Sequence, residues 1–184
     1  MRRLIATAAI LAAMVTLALA PGAEAGSLAR LVAPVSACPG QGDFGAVPGA
    51  QEKTMLCMVN FARHRAGHGA LGDDGELDAS SLRKSDDILR CDSFSHEACG
   101  RDFTYWMRRT GYLPASCWRA GENIAWGTGS YGTVHSIFVA WIHSPGHREN
   151  ILGSYSQTGI GLQVGSLDGY REAHVWTEHF GTHC

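Results

Sequence analysis

The chain has 184 residues, of which 45% are hydrophobic and 17% charged, with a formal net charge of −2. That length suits one domain with a single buried core. The slightly acidic balance lacks the basic stripe of a nucleic-acid-binding protein, so no nucleic-acid partner is expected.

Arg2 and Arg3 precede an apolar run from Leu4 to Ala20, and Ala23-Glu24-Ala25 follows as a small-x-small cleavage pattern. Residues 1–25 therefore read as an export signal. The run falls short of the roughly 20 apolar residues that a membrane span requires, and no later stretch is apolar enough, so no stable span is expected after cleavage. Residues 26–50, rich in Gly, Ala and Pro with little periodicity, read as an arm or linker without chemistry, ahead of a domain over 51–184.

Six cysteines, at positions 38, 57, 91, 99, 117 and 184, in an exported chain predict three disulfides. Many pairings are possible in principle. Proximity favours Cys91 with Cys99, a clip across the loop carrying His96; Cys38 with Cys57 would pin the arm to the first helix, leaving Cys117 with Cys184. No Cys-x-x-Cys pair exists to suggest a thiolate metal site.

From Gln51, Met55, Met58, Val59 and Ala62 recur at helical spacing, with Gly67 as the stop. Asp73-Asp74-Gly75-Glu76 offers an N-cap for a second helix through Leu77, Leu82, Ile88 and Leu89, whose Ser81 and Ser85 suggest close packing rather than catalysis. Phe103, Trp106, Met107 and Thr110 predict a short third helix capped by Gly111. Val134, Ile137, Phe138 and Trp141 give the cleanest helical pattern, with Thr133 as its cap. Pro145-Gly146 should break that helix and force a turn, placing His147 just past a buried helix end. After Leu152 the period becomes two, through Ile160, Leu162 and Val164, a turn near Asp168-Gly169, and a strand from Ala173 to Phe180. An antiparallel hairpin closes the chain.

Several motifs fail on context. Gly127-Thr128-Gly129-Ser130-Tyr131-Gly132 matches the dinucleotide fingerprint, but the chain lacks the repeated parallel strand-helix units of that fold. His143 and His147 are four apart, yet Pro145 and Gly146 interrupt the helix between them. His96-Glu97 lacks a second histidine at position 100, no Gly-x-Ser-x-Gly elbow occurs, and oxidised cysteines leave no thiol nucleophile.

A dispersed set remains: His96 in Phe94-Ser95-His96, Glu122 in Gly121-Glu122-Asn123-Ile124-Ala125, and His147 in Ser144-Pro145-Gly146-His147. These segments, with Leu56-x3-Asn60-x2-Arg63-x3-Gly67, Arg109-Thr110-Gly111-Tyr112, Thr158-Gly159-Ile160-Gly161 and Phe180-Gly181, resemble the CAP superfamily of cysteine-rich secretory, antigen 5 and pathogenesis-related proteins, in its bacterial secreted branch. The resemblance runs from about Met55 to Gly181. It implies an α+β fold, an α-β-α sandwich with a small antiparallel sheet held by disulfides, and a cleft carrying two histidines and two glutamates. The matching positions are His96, Glu122 and His147; where eukaryotic members have a glutamate three residues after the helix tryptophan, this chain has Ser144. Two imidazoles and a carboxylate could hold zinc. The resemblance implies a secreted binding module for an extracellular lipid, cell-wall component or protein. The alternative is a metal-assisted hydrolase of peptide or cell-wall material, with Glu122 as its base.

Overall fold

The computed structural model describes residues 28–183. The expected export signal over residues 1–25 and Cys184 lie outside the described residues.

The chain runs α1 (Pro48–Arg65), β1 (Gly72–Asp73), α2 (Gly75–Arg90), α3 (Tyr105–Thr110), β2 (Trp118–Gly127), α4 (Val134–His143), α5 (Pro145–Ile151), β3 (Gln157–Leu167) and β4 (Tyr170–His183). The sheet order is β1-β3-β4-β2. β3–β4 and β4–β2 are antiparallel, whereas the two-residue β1 pairs parallel with β3, which makes the small sheet mixed. The hairpin turn puts Asp168 and Gly169 at φ 51° and 77°, the left-handed pair that matches the twist of two antiparallel strands.

Side-chain alternation divides the sheet into two faces. Ile160, Leu162, Trp176 and Phe180 join Met55, Met58, Phe138 and Trp141 in the main core, under α1 and α4. The opposite face takes α2. There Gly159 and Gly161 let the helix backbone descend on β3: a Cβ at Gly161 would lie 2.2 Å from Leu82 N. Ser81 and Ser85 donate to the Gly159 and Gly161 carbonyls at 2.8 and 3.0 Å, so the hydroxyl face of α2 is indeed a packing device. The result is the three-layer α-β-α sandwich.

Local signals account for the helix ends. Asp74 caps α2 by accepting from Glu76 N and Leu77 N, Thr133 caps α4 by accepting from Ser136 N, and Gly111 ends α3 at φ 96°. Two expectations change. Pro145-Gly146 does not leave a turn: Ser144 is extended, as a residue before proline tends to be, and Pro145 opens α5 at its first position, where its missing N–H costs nothing. His147 therefore sits in the first turn of a new helix. The N-terminal arm is also not a bare linker. Leu31, Ala33 and Cys38 are buried in the main core, and α1 begins at Pro48 rather than Gln51.

Cys91–Cys99 is bonded as proximity suggests, and Cys38–Cys57 ties the arm to α1 as expected. Cys117 is also disulfide-bonded. No helix among the described residues is long and apolar enough to cross a membrane.

Candidate functional site

Glu122 projects from β2 onto the α2 face, directly across the ladder from His179 of β4. Its side chain is 2% exposed, and both of its oxygens are engaged. His96 Nδ1 donates to Oε1 at 2.6 Å and His179 Nε2 donates to Oε2 at 2.8 Å. An ionised carboxylate only accepts, so each facing ring nitrogen carries the proton. Burial alone would push Glu122 up, but the hydrogen bonds from His179 and His96, with the charge of Lys84, outweigh it and hold the carboxyl below its ordinary range. In the neutral His96 ring this arrangement leaves a bare Nε2. With 55% of its side chain exposed, His96 is the solvent-facing end of the array.

The loop that presents His96 is fixed from several directions. The Cys91–Cys99 bond closes its base. Lys84, 2% exposed on α2, donates from Nζ to the His96 carbonyl at 2.5 Å. Burial draws the Lys84 amine down, against the upward pull of Glu122 and Asp87. Asp87 is itself the hub of the loop's far end, accepting from Arg90, Arg101 and Trp106 Nε1. Deeper in, Ser80 Oγ lies 2.6 Å from His179 Nδ1, so a polar line runs Ser80–His179–Glu122–His96 from the core to solvent.

His147 approaches from α5. Asn123 Nδ2 donates to its carbonyl at 3.1 Å, and Asn150 Nδ2 donates to the Glu122 carbonyl at 3.1 Å, which ties α5 to the outer edge of β2. The Nδ1 of His147 is buried and has no hydrogen-bond partner. Burial lowers the affinity of this ring for a proton, and the charge of His96 lowers it further. His147 also lines a largely apolar pocket of about 290 Å³ with Phe94, Ile124, Trp126, Trp141 and Ser144. Trp141 is 1% exposed and anchors the pocket floor through Nε1, which donates to the Ile124 carbonyl at 3.3 Å.

Of the three residues singled out in the sequence, His96 and Glu122 touch, and His147 stands on the wall of the adjoining pocket, close enough to sense the charge of His96. They do not fit zinc as a three-ligand set. Both Glu122 oxygens are committed to imidazoles, and among the described residues no group of three or more His, Cys, Asp or Glu side chains is arranged to hold a metal ion. The sequence reading missed His179, Lys84 and Ser80. One signal was present: Thr177-Glu178-His179 puts three polar residues in succession between Trp176 and Phe180, where burial demands partners.

No family model matches the chain. It is 31% identical over 133 residues to the uncharacterized protein YkwD of Bacillus subtilis, a match covering 71% of this chain and 47% of that protein. The chain thus spans about half the length of this curated relative. Among solved structures, an extracellular SCP-domain protein of Bacillus anthracis superposes with a TM-score of 0.60 at 21% identity, covering 72% of this chain and 40% of the other. An outer surface protein of Borrelia burgdorferi gives 0.59 at 15% identity over 72% and 92% of the two chains. A cysteine-rich secretory protein of Staphylococcus aureus gives 0.56 at 14% identity over 74% and 39%. With its three layers, mixed sheet and disulfides, the chain has the fold of the extracellular SCP-domain protein and of the other two solved structures.

Proposed function

We propose that the protein is an exported binding module whose cleft takes a ligand with an apolar part in the pocket beside Trp141 and a polar part against His96 and His147. The observation that carries this reading is the pocket itself: Phe94, Ile124, Trp126 and Trp141 supply apolar walls, and an imidazole stands on its rim. Ligand sites commonly combine such walls with a few placed polar groups. Its place outside the cell agrees with the signal-like N-terminus and with the extracellular and outer-surface neighbours of the same fold. The ligand classes to try are lipids, cell-wall fragments and extracellular polypeptides.

Zinc would be held here by His96 and His147 alone, with Glu122 fixing the His96 ring from behind, an outer-shell role familiar for carboxylates. Two protein ligands would give weak uptake. The hydrolase reading is favoured by one feature, the exposed imidazole backed by a buried carboxylate. In it the group open to take a proton is His96 Nε2, since Glu122 has no free oxygen.

Trp126 and Trp141 line the pocket, so intrinsic fluorescence reports its occupancy. The purified mature protein should show a saturable change with at least one of a fatty acid, a muropeptide and an unstructured peptide. Ala140→Trp, which fills the pocket from its exposed lip, should abolish that change without altering the melting temperature. Saturable binding that survives Ala140→Trp would place the ligand elsewhere and refute this reading.

A further inference from the structure

A second pocket, sharing no residue with the cleft, lies where the segment before α1 meets the hairpin. It encloses about 380 Å³ and is lined by Phe44, Gln51, Val164, Glu172 and His174, with Gly45 and Ala46. Gln51 and His174 are 1% and 4% exposed, and each leaves a buried polar atom without a partner: Gln51 Oε1 and His174 Nδ1. The amide orientation of Gln51 is fixed, because its Nε2 donates to the Phe44 and Ala46 carbonyls at 3.2 and 2.7 Å. Its Oε1 is therefore a committed acceptor. A buried group left unpaired costs about 1–3 kcal/mol, so two in one pocket call for an explanation.

The surrounding groups restrict what could satisfy them. Phe44 stacks on His174 with ring centroids 3.8 Å apart and planes 18° from parallel. Gly132 permits that placement, since a Cβ there would lie 2.7 Å from Phe44 Cε2. Glu172 stands at the mouth, at φ 55°, and its charge reaches His174. Burial disfavours the charged form of His174 more than Glu172 restores it, so the ring is a neutral imidazole able to offer one bare nitrogen. No lysine or arginine lines the pocket. A carboxylate, an amide oxygen, an imidazole nitrogen and an aromatic face are all electron-rich. An anion would be repelled, and an apolar guest would leave both buried atoms unpaired.

We propose that this pocket binds a guanidinium-type organic cation, whose planar N–H donors pair with Gln51 Oε1, His174 Nδ1 and the Glu172 carboxylate while its plane lies near the Phe44 ring. Guanidinium presents several donors in one plane and is weakly hydrated, which suits a half-enclosed aromatic site. The same chemistry could arrive as a small free molecule or as an arginine side chain of a partner, so both forms belong in the test.

The experiment follows the His174 ring signals by NMR in the full mature protein. Its probes are N-propylguanidinium, the peptide acetyl-Gly-Arg-Gly-amide and the neutral N-propylurea. One or both cations should give a saturable shift at millimolar concentration; whichever binds tighter identifies the source. N-propylurea should bind at least about tenfold more weakly, the worth of one charge-assisted bond. Glu172→Gln, at an exposed position, should weaken cation binding by about the same factor, and His174→Phe, followed through the Gln51 side-chain amide signals, should abolish it while keeping the ring stack. If His174→Phe does not fold, the Glu172→Gln comparison decides. No saturable shift with either cation, equal binding of the urea, or binding indifferent to Glu172→Gln overturns the proposal.

Discussion

Replacing Glu178 with glutamine should prevent the loss of stability that its ionisation causes between about pH 4.5 and pH 8. Glu178 is fully buried on the α1 face of β4. One oxygen accepts from Thr158 Oγ1 at 3.1 Å, and the other has no partner. Burial pushes its carboxyl from 4.5 up to about 8, against the opposing pull of the Thr158 hydroxyl and the Arg63 charge. The folded value lies above the unfolded one, so the folded chain holds this proton more tightly. Below about pH 4.5 both states are protonated and no stability is lost. As pH rises the unfolded chain ionises while the folded one does not, and stability falls until the folded carboxyl also ionises near 8. At pH 7 the gap is about 2.5 units, or about 3 kcal/mol at 1.36 kcal/mol per unit. Glutamine has nearly the same shape and cannot ionise. Urea unfolding of the two proteins at pH 4.5 and pH 7 should therefore show their difference moving by about 3 kcal/mol in favour of Glu178→Gln. Parallel stability profiles would mean that Glu178 is not a buried neutral acid.

Gly161→Ala forces a Cβ to within 2.2 Å of Leu82 N, and it should cost about 1–3 kcal/mol in thermal unfolding, whereas Gly42→Ala, which meets nothing within 4 Å, should be close to neutral. Trp141→Ala empties the centre of the main core and should cost about 3–5 kcal/mol, enough to loosen the domain and not merely the pocket it floors. Replacing Cys91 and Cys99 together by serine frees the base of the His96 loop; a cost of about 2–3 kcal/mol is expected, with broadened His96 ring signals. Non-reducing mass spectrometry of the mature protein should find no free thiol and should pair Cys117 with Cys184.

Where one periodicity governed a segment, the sequence was legible. The α4 stripe from Val134 to Trp141 and the two-residue alternation that turns Ile160 and Leu162 to the main core both appear as expected. The Cys91–Cys99 clip followed from proximity along the chain. Pro145 misled because proline breaks a helix it interrupts but opens one at its first turn, and only the extended Ser144 separates the two cases. The arm looked structureless because Leu31, Ala33 and Cys38 are too irregularly spaced to show a period, yet each finds a place in the core. In the site, motif segments pointed to His96, Glu122 and His147. Lys84 and His179 stayed hidden, because their roles arise from where α2 and β4 meet and not from neighbours in sequence.

The cleft is tested most directly by following the ring signals of His96 and His147 while a ligand that changes the fluorescence of the pocket tryptophans is added. Both rings should shift along one binding curve, with the His135 ring, which is held by Gln41 elsewhere on the surface, as the unchanging reference. The His96 Nδ1 proton should also stay on the ring and hydrogen-bonded to Glu122 throughout. A saturable fluorescence change that leaves both rings unmoved would contradict the account, as would a curve shared equally by His135.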